Sequence, residues 1–125
     1  EYLKENPATD YNAHKWLGVS QPISSSLVGQ WQEKNLSPET IIVKSSSFVG
    51  LRDIAATGLG LALLPCCLGD PAADLVRAEN MPGEMTTSIW VATHKDMAGS
   101  TRVRSIISWF VEALRQDADL YEGRT

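Results

Sequence analysis

Two short stretches of this 125-residue sequence carry side chains suited to holding a small polar molecule. The first, Ser20-Gln21-Pro22-Ile23-Ser24, combines hydroxyl and amide groups and falls where an apolar stretch gives way to helical spacing. The first N–H groups of a helix lack intrahelical acceptors and sit at the positive end of its dipole, so such a junction attracts carboxylates and other anions. The same residues would also serve as ordinary turn and capping residues. The second stretch, Ser45-Ser46-Ser47-Phe48, offers similar donors plus an aromatic wall. Serine is a preferred helix cap worth about 1 kcal/mol, so capping competes more strongly with ligand contact here. The candidate ligand contacts are therefore Ser20, Gln21, Pro22, Ile23, Ser24, Ser46, Ser47 and Phe48. Their serine-rich character suits a small polar or carboxylated ligand without identifying one.

Other residues with chemical potential read as structural. Gly58-Leu59-Gly60 is not a dinucleotide fingerprint, which needs G-x-G-x-x-G leading from strand into helix, whereas here helix leads into strand. Cys66 and Cys67 supply two ligands with no nearby His or Cys to complete a zinc shell. As sequence neighbours they also rarely reach the geometry of an unstrained disulfide. Buried or half-buried reduced thiols are expected, which points to a cytoplasmic setting. His14 and His94 have no visible nucleophile and orienting group, and a local hydrogen bond between His94 and Asp96 is expected instead. Trp16, Trp31, Trp90 and Trp109 could stack on nucleic-acid bases. Each lies in an apolar strand or helix face, so core packing is expected. No catalytic residue, metal site or cofactor is expected.

The intervening residues decide where these groups stand. The opening stretch to Asn12 lacks periodicity and reads as irregular with one short turn. His14 to Val19 reads as a strand, and Leu27, Val28 and Trp31 recur at helical spacing over Ser24 to Lys34. Thr40-Ile41-Ile42-Val43 is β-branched throughout, as a strand covered on both faces should be. Phe48, Leu51, Ile54 and Ala55 then make one helical stripe ending at Gly58, a favourable residue just past a helix end. Leu59 to Leu64 is an apolar run closed by Pro65, read as a third strand. This β-α-β-α-β order predicts a parallel sheet with helices on its faces, where ligands sit beyond the carboxyl ends of strands. Both serine stretches occupy such ends. A helical turn at Cys66 to Leu68, a strand near Leu75 to Ala78, a break at Met81-Pro82-Gly83 and a strand over Ser88 to Thr93 follow. A closing amphipathic helix carries Val103, Ile106, Ile107, Phe110 and Leu114 on one face, and Asp117 to Thr125 reads as a flexible tail.

Composition narrows the function classes. Eleven basic and fifteen acidic residues give a net charge of −4, whereas duplex binding relies on clustered Lys and Arg; unaided DNA binding is not expected. No apolar run approaches the ~18 residues of a membrane span. Glu1 to Asn6 looks like neither a signal peptide nor a natural protein start and reads as a cut inside a longer chain.

Ser45 to Pro65 (SSSFVGLRDIAATGLGLALLP) resembles the helix, Gly-x-Gly turn, apolar strand and terminal proline of LysR-type transcriptional regulators. Ile89-Trp90-Val91-Ala92-Thr93-His94-Lys95-Asp96, followed by Arg102-Val103-Arg104 and the closing helix, is similar to that family's last strand and C-terminal helix. Tyr2-Leu3 with His14-Lys15-Trp16-Leu17 fits the segment just beyond the family's first interdomain crossover. The resemblance covers residues 2 to 116.

It implies an α/β fold of the type II periplasmic-binding-protein kind, with two subdomains around an effector cleft. Residues 1–85 would form subdomain II, 86–116 the C-terminal strand and helix of subdomain I, and 117–125 the tail. The function implied is that of an effector-binding, regulatory, non-enzymatic domain of a bacterial regulator. DNA would be reached only through a winged helix-turn-helix that this chain lacks, and effector contacts are placed at the Ser20–Ser24 loop. No membrane partner is implied. The face of Ile106, Ile107, Phe110 and Leu114 is expected to be short of partner surface and to favour a homo-oligomer. Competing readings are a fragment of a periplasmic solute-binding protein, against which the unpaired cysteines argue, and one of an α/β enzyme.

Overall fold

The computed structural model describes residues 10–78 and 85–124. Its first strand, β1 (Trp16–Val19), is buried along its whole length. Successive strand side chains point to opposite faces. Leu17 and Val19 accordingly join Leu51 and Ala55 in one apolar cluster, while Trp16 joins Leu36 and Leu61 in another. A 3-10 turn at Ile23–Ser25 leads to α1 (Leu27–Asn35). A second 3-10 turn, Pro38–Thr40, leads to β2 (Ile41–Ser45), which pairs parallel to β1. The register passes from Trp16 opposite Ile41 to Leu17 opposite Val43, skipping Ile42. The next helix, α2 (Phe48–Ala56), buries Leu51 and Ala55 against β1 and β2. Gly58 follows with φ 80°, a left-handed conformation that side chains with a Cβ adopt at a cost. The expected β-α-β-α order is present through this point.

The third strand expected over Leu59–Leu64 reduces to a single parallel bridge between Leu61 and Trp16. Leu17 N–H donates to the Leu61 carbonyl (2.8 Å) and Leu61 N–H to the Lys15 carbonyl (2.9 Å). Beyond that bridge, Gln32 of α1 takes over. Its Nε2 donates to the Leu17 carbonyl (3.0 Å) and its Oε1 accepts from Val19 N–H (3.2 Å). These are the groups that a continuing strand would have paired, so a side-chain amide has replaced the ladder. The segment still packs as a strand would: Ala62 and Leu64 lie against one cluster and Leu63 against the other.

After Pro65 the chain forms α3 (Cys66–Gly69). The strand expected near Leu75–Ala78 is absent; this stretch has no ladder partner among the described residues, and Val76 is 76 % exposed. Arg77 instead makes a two-pronged ion pair with Asp70 (2.8 and 2.6 Å). The hydrogen bond and charge of Asp70 raise the Arg77 pKa above its ordinary value. The break expected at Met81-Pro82-Gly83 lies outside the described residues, as does the start of the chain up to Thr9. The turn expected in the opening stretch is a 3-10 turn at Tyr11–Ala13, capped by Asp10.

The chain divides into two compact units, Glu1–Met85 and Thr86–Thr125. In the second, Ser88–Thr93 is not a strand. Among the described residues that unit contains no other strand for it to pair with. A 3-10 turn at Lys95–Met97 precedes α4 (Thr101–Gln116), and α5 (Ala118–Tyr121) occupies part of the stretch expected to be a tail, where Arg124 pairs with Asp119 and Glu122. The expectation that all four tryptophans are core residues holds for two. Trp16 and Trp31 pack with Tyr11, ring centroids 5.3–6.4 Å apart. Trp90 is 85 % and Trp109 66 % exposed, because their unit offers no sheet to cover them. No helix among the described residues is long and apolar enough to cross a membrane.

Gly29 shows how tightly the 3-10 turn folds back onto α1: a Cβ there would stand 1.9 Å from the Ser24 carbonyl oxygen. Backbone, unlike a flexible side chain, cannot yield locally. Although Ala is a better helix former than Gly by about 1 kcal/mol, the overpacking should win. Gly29→Ala is expected to destabilise the chain by about 1–3 kcal/mol, read as a lower urea midpoint at unchanged slope.

Candidate functional site

The two serine stretches meet. Ser20, the first residue after β1, donates its N–H to the carbonyl of Ser45, the last residue of β2 (2.9 Å). That bond sets the Ser20–Ser24 loop beside the Ser46–Phe48 junction at the carboxyl end of the parallel pair. In α/β sheets this is where ligands bind.

The first loop is a folded turn. Ser24 N–H donates to the Ser20 carbonyl (3.0 Å), Ser25 Oγ to the Pro22 carbonyl (3.4 Å), and the Gln21–Pro22 peptide bond is cis. Gln30 Nε2 donates to the Ser25 carbonyl (3.0 Å), tying the turn to α1. The helix itself begins at Leu27, later than the expected start at Ser24, with Ser26 as its cap. The 3-10 turn absorbs the difference. Ile23 is half-buried and packs on the Leu17 cluster, so it serves the core as well as the loop. Gln21 is exposed, and the side chains of Ser20, Gln21 and Ser24 make no hydrogen bond among the described residues.

At the second junction the three serines have different duties. Ser47 Oγ accepts from Gly50 N–H (3.0 Å), the helix-capping contact. Ser45 Oγ donates to the Ser47 carbonyl (2.9 Å) and accepts from Ser47 N–H (3.3 Å), fixing the bend between β2 and α2. Ser46 is exposed, and its hydroxyl makes no hydrogen bond among the described residues. Phe48 is half-buried against the same cluster as Ile23, which makes it a wall only over part of its surface.

Sequence reasoning placed Ser45 in the second stretch without its part in the bend, and it missed Gln32. Gln32 carried a readable signal. Val28, Gln32 and Leu36 recur every fourth residue, so a polar side chain stands on an apolar stripe, and buried polar groups require partners.

Of the remaining candidates, the two cysteines stand on the short helix α3, which packs against α2. Cys66 and Cys67 are free and half-buried. His94 Nδ1 accepts from Asp96 N–H (3.2 Å), the local bond expected for that pair. Among the described residues no three His, Cys, Asp or Glu gather in a way that could hold a metal.

The family model for the LysR substrate binding domain matches residues 3–115. The chain belongs to that family. No curated protein and no solved structure matches it. LysR substrate-binding domains are ligand-sensing regulatory domains with a periplasmic-binding-protein-like α/β fold, which accounts for the parallel pair and the interleaved helices seen here. The span matched agrees with the extent over which the sequence itself resembles LysR-type regulators.

The division of labour among the serines can be measured. Ser47→Ala should lower stability by about 1 kcal/mol through the lost cap, while Ser46→Ala should change it by less than about 0.5 kcal/mol. Chemical unfolding of the two variants checks this; equal losses would contradict the assignment of the cap to Ser47.

Proposed function

We propose that the chain is the effector-sensing domain of a LysR-type transcriptional regulator and that Ser20, Gln21, Pro22, Ile23, Ser24, Ser46, Ser47 and Phe48 contact a small polar or carboxylated effector. The observation that carries this reading is the Ser20 N–H to Ser45 carbonyl bond, which brings the two junctions together at the carboxyl end of β1 and β2. Family membership supplies the context. In this reading residues 1–85 act as subdomain II, 86–116 as the C-terminal part of subdomain I, and 117–125 as a tail. The effector occupies the cleft that the family builds between its two subdomains. Closure on the ligand then shifts how oligomers present winged helix-turn-helix heads to DNA. A ligand can shift that equilibrium only by binding the two states with different affinity. The domain itself carries out no reaction. A cytoplasmic location is supported by the two unpaired cysteines.

The test uses the full-length regulator in a reporter strain. Gln21→Ala and Ser24→Ala should each raise the effector concentration needed for half-maximal response about ten- to a hundredfold, the effect of losing one hydrogen bond to a charged ligand group. Basal operator binding should be unchanged. Neither side chain caps α1, so thermal unfolding of both variants should match the parent. A normal response from both would remove the loop from the effector site.

Homo-oligomerisation belongs to the same proposal. Ile106 and Phe110 of α4 are 56 % and 48 % exposed, beside Trp109, and exposed apolar patches recruit partner surface. Replacing Ile106 and Phe110 by Gln should reduce self-association of the chain in sedimentation at tens of micromolar. A parent chain that already sediments as one monomeric species would count against this part.

A further inference from the structure

Gln32 is 3 % exposed and points its amide at the edge of β1 that faces away from β2. Leu61 pairs with this edge at one position only, and Gln32 satisfies the next two backbone groups, the Leu17 carbonyl and Val19 N–H. Val19 is immediately followed by Ser20, whose own N–H is held by Ser45 on the opposite edge. The start of the Ser20–Ser24 loop is thus clamped from both sides, by β2 on one and by a side chain of α1 on the other. Three residues before Gln32, Gly29 lets α1 approach the carbonyl of Ser24, the residue whose N–H closes the same turn on the Ser20 carbonyl. We propose that Gln32 is the positioning residue of the effector site: its amide stands in for a third strand and holds the Ser20–Ser24 loop in place without touching the ligand.

The proposal rests on the reading of that loop as an effector contact, but its test does not need the effector. Hydrogen exchange of backbone amides reads the hold on the loop directly, whereas the response of Gln21→Ala and Ser24→Ala reads the loop's own role, so the two can fail separately.

Gln32→Glu keeps the shape. As the neutral acid it can still donate to the Leu17 carbonyl and accept from Val19 N–H; as the carboxylate it can only accept, and it faces a carbonyl oxygen. Burial and the donated bond both favour the neutral form, so this carboxyl should titrate above the ordinary value of about 4.3. The hold is therefore present at low pH and lost as pH rises through the raised pKa. At about pH 8 the Val19, Ser20 and Ser24 amides of Gln32→Glu should lose at least about tenfold protection relative to the parent, and at about pH 4 they should recover, while Leu51 in α2 keeps its protection at both. Gln32→Met, of similar volume and unable to make either bond, should show the same local loss at both pH values, and it decides the matter if the ionised variant unfolds. Unchanged protection at Val19, Ser20 and Ser24, a loss that acid does not reverse in Gln32→Glu, or a loss in Gln32→Met that reaches Leu51 equally would overturn the proposal.

Discussion

Gln32 places a primary amide, a group that costs free energy to bury unless its donor and acceptor are both matched, against the one stretch of β1 that lacks a neighbouring strand. Each side solves the other's problem. The Leu17 carbonyl and Val19 N–H are as costly to leave unpaired as the amide, at about 1–3 kcal/mol per buried group. Breaking the contact from either side therefore strands polar atoms on both. The rest of the first unit inherits its geometry from this constraint. α1 must lie where residue 32 can reach the edge of β1, and this fixes Val28 over one apolar cluster and Trp31 over the other.

Packing follows from that placement. With α1 pinned by Gln32, the 3-10 turn has to fold back within contact of Gly29, and only a residue without a Cβ leaves room for the Ser24 carbonyl. On the opposite edge of β1 the constraint is ordinary ladder pairing to β2, ending in the Ser20 to Ser45 bond. The loop between β1 and α1 is consequently determined at its start by two hydrogen-bonding edges and at its end by a steric limit. A binding loop held in this way loses little conformational entropy when a ligand arrives, which is the advantage of building a site on ordered elements.

Much of the first unit was legible because period and chemistry agree there. The stripe Phe48–Leu51–Ile54–Ala55 and the glycine at 58 each allow one local structure, and each is found; the β-branched run at Thr40–Val43 does yield a strand, but it starts at Ile41 because Thr40 closes a 3-10 turn, and Ile42 and Val43 are exposed where cover on both faces was expected. The Leu59–Leu64 run misled for a physical reason: apolar periodicity reports burial, which is correct, but says nothing of what satisfies the neighbouring backbone. A glutamine in the helix, 13 and 15 residues along the chain from the two groups it binds, usurps that role. Ser88–Thr93 and the tryptophans at 90 and 109 failed differently. Their residue types report a preference for covered surface, and a strand exists only where a second strand lies alongside to accept its hydrogen bonds. At the candidate site, the junctions were legible as strand-to-helix crossings, but the start of α1 at Leu27, the turn at Ile23–Ser25 and the part of Ser45 were not, since hydroxyls close to a helix start are chemically alike until backbone geometry selects the one that caps.

That selection bears on what the site could recognise. The hydroxyls of Ser45 and Ser47 are committed to the bend and the cap, and Ser26 caps α1. Ser20, Gln21, Ser24 and Ser46 keep uncommitted groups, three hydroxyls and one amide, none of them charged. Such a set can donate and accept in several orientations, which suits hydroxyl, amide or carboxylate functions alike. It cannot neutralise a full negative charge by itself. The backbone can contribute there, because the Ser47 hydroxyl engages only Gly50 N–H and leaves the first N–H groups of α2, at Phe48 and Val49, at the positive end of the helix. In the proposed reading, neutral side chains would select the shape of the effector while the helix start supplies the electrostatic preference, a combination that favours a small carboxylate over a cation without requiring an arginine in the loop.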